Sequence, residues 1–345
     1  MGRRQITLAD LAKELGISTA TVSRALKDYP DISAETKRRV LELAERRNYY
    51  PNTIAASLRN QESRIIGVII PEVVNHFFST VITGIMNVAY KSGYRVMICQ
   101  SNESYEKEVE DAKALLASRV DGVLVSVAHE TSTFQHFKDF KNAGIPIVFF
   151  DKTCEGISDS SKVVVDDYKG AFNAVEHLIQ QGYTRIAHVR GPLTANNSRN
   201  RLNGYLDALK KYHLPINELL IFDGGRLTYE FSHHLGKMIA MNGYRIDALF
   251  AVTDIVAIGV MTGLKEAGKK IPTEIAVLGF NDWFMSQVVD PPLSSVFQPG
   301  LEMGQTATEI LLEEIRLDKE GGDPTYQTVV LETDLKVRAS TLRHE

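Results

Sequence analysis

Between residues 6 and 48 apolar positions recur three times at helical spacing. Leu8, Leu11, Ala12 and Leu15 share one face of a first helix, and Gly16, free to turn left-handed, ends it. Ser18 is placed to N-cap a second helix over residues 20–26, with Val22, Ala25 and Leu26 on its buried face. A third helix starts after Ser33, whose capping-box partner is Thr36, and runs through Val40, Leu43 and Ala44 to about Asn48. Two helices joined by about three residues that include a glycine form a helix-turn-helix, and the third closes a small core. With Val22 and Leu26 inward, Thr19, Ala20, Ser23 and Arg24 project outward, where a recognition helix meets base edges. The arginine can fork onto guanine, while Thr21 and Ser23 suit phosphate contacts. An amphipathic helical hairpin with an incidental arginine is the plainer alternative. In "YYPNTIAASLRNQES", Pro51 and Asn52 then open a helix of about seven residues, too short to be stable alone and suited to folding on DNA.

From residue 64 the pattern changes to near-continuous apolar runs alternating with helical segments: "RIIGVIIP", "RVMICQ", "DGVLVSV" and "IPIVFFD", then "VVVDD", "RIAHVRG", "LLIFDG", "ALFAVT" and "AVLGFND". Such alternation predicts parallel sheets covered by helices on both faces, here as two similar α/β lobes. Ligands in such sheets bind beyond the carboxyl ends of the strands. Those ends supply Asn75, Phe77, Phe78, Ser126 and Asp151 from the first series, then Arg199, Arg201, Thr253, Asn281 and Trp283 from the second. Asp, Asn and Arg around an aromatic face suit a hydroxyl-rich ligand. Phe77 and Phe78 serve equally well as core, Arg199 as a solvated neighbour of Arg201, and Asp254 as a helix cap.

Charge sharpens the division. Residues 1–64 hold 12 Lys/Arg against 8 Asp/Glu, a net of +4, whereas the rest holds 27 against 35, a net of −8. A basic module attached to an acidic body is implied. No apolar stretch approaches the roughly 20 residues of a membrane span, and the first residues lack a secretory h-region, so a cytoplasmic protein is expected, at the nucleoid when on DNA. Cys99 and Cys154 lack metal-ligand spacing and read as reduced thiols. Neither a cofactor nor a metal is expected.

The segments "TLADLAKELGISTATVSRAL", "ISAETKRRVLELAERRNYYPNTIAASLR", "RIIGVIIPEVVNHFFSTVITGI", "GYTRIAHVRGP" and "IPTEIAVLGFND" together resemble the lactose/galactose-repressor (LacI/GalR) family, and the resemblance extends from about residue 5 to 341. It implies a helix-turn-helix domain at 1–50, a hinge helix and linker at 51–63, and a periplasmic-binding-protein type 1 core. The core's N-terminal lobe would comprise 64–162 and 296–323, its C-terminal lobe 163–295 and 324–345. It further implies a homodimer on a pseudo-palindromic operator, with Leu58 wedging into the minor groove. The DNA-contacting set becomes Thr7, Ser18, Thr19, Ala20, Thr21, Ser23, Arg24, Asn52, Leu58 and Arg59. A sugar-like effector would sit between the lobes and control operator affinity. His76, Thr253 and Asn281 depart from the family's usual Pro, Asn and Asp; losing that acid beside two arginines leaves room for an acidic or phosphorylated effector. No leucine-heptad tail follows "VRASTLRHE", which favours a dimer over a tetramer.

Two other classes share this scaffold. A sugar-transport protein would have the same body but no basic head-piece. An enzyme would need a catalytic signature, and no G-x-S-x-G, HExxH or P-loop is present.

Overall fold

The structure is a computed structural model that describes residues 6–49, 62–225 and 227–343. The chain divides into two compact units at Arg64/Ile65. The first contains α1 (Leu8–Leu15), α2 (Thr19–Leu26) and α3 (Ala34–Arg46). Each helix start is capped: Thr7 by reciprocal bonds with Asp10, Ser18 by accepting from the Thr21 N–H, and Ser33 by accepting from the Thr36 N–H. Gly16 sits at φ 67° and ends α1. Leu11, Val22, Ala25, Val40 and Leu43 meet in the core.

The second unit opens with β1 (Ile65–Ile70), α4 (His76–Lys91), β2 (Arg95–Gln100), α5 (Tyr105–Ala117), β3 (Gly122–Val125), α6 (Gln135–Asn142), β4 (Ile147–Phe150) and β5 (Ser161–Val165). It continues with α7 (Asp167–Gln180), β6 (Ile186–Arg190), α8 (Asn196–Lys211), β7 (Ile221–Asp223), α9 (Tyr229–Met241), β8 (Ala248–Ala251), α10 (Asp254–Glu266) and β9 (Ala276–Asn281). Last come α11 (Met285–Val288), β10 (Ser294–Phe297), α12 (Gly300–Lys319), β11 (Thr328–Leu331) and β12 (Asp334–Lys336). One six-stranded sheet has the order β11-β5-β4-β3-β1-β2, the other β12-β10-β9-β8-β6-β7. The first is parallel throughout; in the second only β12 runs antiparallel.

Strand alternation makes each sheet the wall between two cores. In β1, Ile66, Val68 and Ile70 pack toward α4 and α12, while Ile69 packs on the opposite side with Leu115 of α5 and Phe137 of α6. In β8, Leu249 and Ala251 face α9 and α10, while Ala248 and Phe250 face α7 and α8.

The sheet order corrects the expected lobe boundaries. β5, with its "VVV", pairs with β4 and lies in the first sheet, so the crossing follows Val165 rather than residue 162. β10 belongs to the second sheet through Phe297, and the chain returns to the first lobe only with α12. β11 pairs with β5, so the final crossing falls between Leu331 and Asp334 instead of at 323. Apolar strands of the two lobes look alike in sequence, and pairing partners alone assign them to a sheet.

Candidate operator and effector sites

On α2, Thr19, Ala20 and Arg24 are exposed, and Thr21 and Ser23 are partly so. Thr7, at the start of α1, is also exposed. The Ser18 and Thr21 hydroxyls bond each other at 2.8 Å, so both serve the helix start. The Arg24 guanidinium lies over the Tyr29 ring at 5.2 Å and pairs with Asp31 at 2.6 Å. An exposed pair of this kind holds weakly and yields to a guanine or phosphate. Asn52, Leu58 and Arg59 lie outside the described residues.

In the second unit, the carboxyl ends of both sheets enclose a cavity of about 90 Å³. Seven predicted residues line it: Asn75, Phe77, Phe78 and Asp151 from the first lobe, Arg201, Thr253 and Asn281 from the second. Phe77 and Phe78 belong to the first lobe's core and also line the cavity. Asn75 caps α4 by accepting from the Phe77 N–H at 3.1 Å, which fixes the strand-to-helix corner at the cavity.

The other three do not reach the cavity wall. Ser126 is buried behind Asp151 and donates to it at 3.4 Å. Arg199 turns to the rim, donating to the carbonyls of Leu193 and Thr194 and pairing with Glu155. Trp283 gives its backbone N–H to Asp254 at 2.7 Å and sets its ring edge-on to Phe284. Asp254 itself, expected to cap α10, instead binds the loop after β9, accepting also from Ser286 at 2.7 Å and Ser295 at 2.5 Å.

Several lining residues escaped the sequence reading: Glu103, His129 and Lys152 in the first lobe, Asn197 and Ser198 on α8, and Gln298 in the β10–α12 crossing. Applying the strand-end rule to β2, and reading three residues past Ser126 in "VSVAHE" and one past Asp151 in "FFDK", would have reached Glu103, His129 and Lys152.

Electrostatically, the two wall cations are already paired. Arg201 is 3% exposed, donates Nε to Asp167 at 2.8 Å and Nη1 to the Val252 carbonyl at 2.7 Å, and stacks on Phe280 at 3.7 Å. Lys152 pairs with Glu103. Burial would raise the Glu103 pKa, but Lys152 and His129 outweigh it and hold the carboxyl at about 2. Asp151 has no salt-bridge partner among the described residues, and burial pushes it up to about 6. With Arg199 on the rim and Arg201 occupied, the expected pair of free arginines for an acidic effector is absent.

The lobes touch around the cavity. Asn197 Nδ2 donates to Asp151 at 3.4 Å, the Thr153 N–H to Asn196 Oδ1 at 3.1 Å, and Arg199 pairs with Glu155. His76 meets Phe284 edge-on at 5.8 Å on another side.

Comparison with known proteins agrees with both units. The family model for bacterial regulatory proteins of the lacI family matches residues 7–52, and that for a periplasmic binding protein-like domain matches residues 175–341. The HTH-type transcriptional repressor PurR of Vibrio parahaemolyticus is 32% identical over 314 residues, covering 91% of this chain and 93% of that protein. Catabolite control protein A of Priestia megaterium is 31% identical over 307 residues, covering 89% and 91%. Among solved structures, the Lac repressor dimer bound to operator and the anti-inducer ONPF matches with a TM-score of 0.84 at 25% identity, over 99% of this chain and 100% of that one. A LacI family regulator from Enterococcus faecium with bound ribose matches with a TM-score of 0.70 at 26% identity, over 81% and 100%. On these matches the chain belongs to the lacI family of bacterial regulatory proteins and is a DNA-binding transcriptional regulator rather than an enzyme.

Proposed function

We propose that the protein is a dimeric repressor whose α2 helices read the two halves of a pseudo-palindromic operator and whose grip on DNA is set by a neutral sugar between the core lobes. One observation carries the effector part: three buried polar atoms with no hydrogen-bond partner among the described residues, Thr253 Oγ1, Asn281 Oδ1 and Gln298 Nε2, belong to residues lining one cavity. Leaving such groups unpaired costs about 1–3 kcal/mol each, and ligand hydroxyls would satisfy all three. Asp151 adds an acceptor. The bound ribose of the Enterococcus faecium relative supports the sugar class.

The cavity's 90 Å³ is far below the roughly 300–1,000 Å³ of ordinary ligand clefts, and in this reading the lobes part to admit the ligand. Opening and closing then gives the ligand a differential affinity for two core states, which is what shifts DNA binding. Thr19, Ala20 and Arg24 are the base-reading residues in this reading, with Thr7, Ser18, Thr21, Ser23, Asn52 and Arg59 positioning the backbone and Leu58 the wedge. Such a regulator works in the cytoplasm, at the nucleoid.

The test is a gel-shift of the full chain on its own upstream DNA across a salt series, with and without neutral sugars. Specific binding should fall linearly in log–log form with salt and change with one of the sugars. Arg24→Ala should cost about 1–3 kcal/mol at one base pair per half-site. Absence of any specific shift would count against the operator role, and a uniform Arg24→Ala loss across sequences would make Arg24 a phosphate contact.

A further inference from the structure

Two groups of opposite charge in the cavity wall belong to none of the roles assigned above. Lys152 follows Asp151 directly, is 7% exposed, and its ammonium is engaged by Glu103 Oε1. The second oxygen of Glu103 accepts from the His129 backbone N–H at 2.8 Å and from His129 Nδ1 at 3.1 Å. All three residues line the cavity beside Asp151. The loop bringing Glu103 there places Asn102 and Glu103 at φ 53° and 61°, a left-handed pair that ordinary side chains disfavour. Arg201, the other cation in the wall, is spent on Asp167.

We infer that Glu103 is the charge filter of the cleft: by occupying Lys152 it withholds the wall's remaining ammonium from the ligand, so the site takes an uncharged hydroxylated ring and excludes the phosphorylated or carboxylated version of it. This rests on the reading of the cleft as the effector site. With Glu103 in place, an anionic ligand meets one unpaired carboxylate, Asp151, and no free cation among the described lining residues. It must break the Lys152 pair to bind, leaving Glu103 partly desolvated without its counter-charge. A neutral ring makes no such demand. Without the Glu103 charge, the same lysine becomes a phosphate anchor on a buried wall.

Full-length wild type, Glu103→Gln and Glu103→Gln/Lys152→Gln are titrated calorimetrically with inorganic phosphate, glucose 6-phosphate, galacturonate, and the neutral sugars glucose, galactose and ribose. Glutamine still accepts from the His129 N–H but no longer neutralises the lysine, and E103A replaces it if E103Q does not keep the wild-type melting curve. Wild type should ignore the anions. E103Q should gain affinity for at least one of them by about tenfold or more, the size expected of a freed charge-assisted hydrogen bond. The double variant should lose that gain. Anion binding by wild type as tight as by E103Q, no gain in a folded E103Q, or a gain that survives in the double variant would each overturn the filter. If none of the neutral sugars binds wild type, that counts against the sugar reading of the cleft, while the anion arm still decides the role of Glu103.

Discussion

A single carboxylate, that of Asp254, ties down the segment that follows Asn281 at the end of β9. It gathers three donors, and Gly279 leaves it room, since a Cβ there would stand 2.2 Å from Asp254 Oδ1. Asp254→Ala strands those donors in a buried site, and at about 1–3 kcal/mol per unsatisfied group the loss should reach at least 2–4 kcal/mol, read as a lower melting temperature. A variant melting within a degree of wild type would show the network to be dispensable. Asp151 makes a pH prediction. Its folded pKa of about 6 lies above its ordinary value, so its ionisation opposes folding, and the penalty grows as pH rises through the range between them. His188, held neutral in the core and pushed down to about 4, works the other way, because acid charges it more readily in the unfolded chain. Comparing wild type with Asp151→Asn isolates the carboxyl. The variant's stability relative to wild type should improve by up to roughly 3 kcal/mol between pH 4 and pH 8, and an unchanged difference in denaturant titrations would contradict the shift. Asp151 was legible in the sequence because it ends an apolar strand. Glu103 was reachable only by carrying the strand-end rule three residues past β2, through a left-handed turn that carries no glycine to announce it.

Helix pairs on the outer faces approach one another through glycine. Where α4 crosses α12, a Cβ on Gly84 would stand 2.2 Å from the Leu301 carbonyl and one on Gly304 2.1 Å from that of Val81. Backbone on both sides leaves nothing flexible to yield. Gly304→Ala should therefore cost about 1–3 kcal/mol of overpacking despite alanine's better helix propensity, measurable by urea titration, and a stabilised variant would show that the helices can separate freely. Strands and helices were readable here because burial on both faces writes continuous apolar runs. Lobe membership of β5 and β11 was not, since it is decided by which edge lies open, a property of the assembled sheet.

At the scale of the molecule, charge and core size divide the chain at the same place. The first unit closes on few buried side chains, Leu11, Val22, Val40 and Leu43 the largest, whereas the second has a core on each side of two sheets. Domains of about 60 residues are marginal by surface-to-volume scaling. Off DNA the head-piece should melt in its own transition, at lower temperature than the core; its amide NMR signals persisting up to the core's midpoint would argue against two independent units.

β11 and β12 stand two residues apart in sequence yet finish different sheets, β11 beside β5 and β12 beside β10. Both are edge strands, opposite β2 and β7, and each covers a strand that would otherwise stand at the edge of its sheet. A chain shortened before residue 328 would therefore expose β5 in one lobe and β10 in the other, and exposed strand edges are where chains pair with one another.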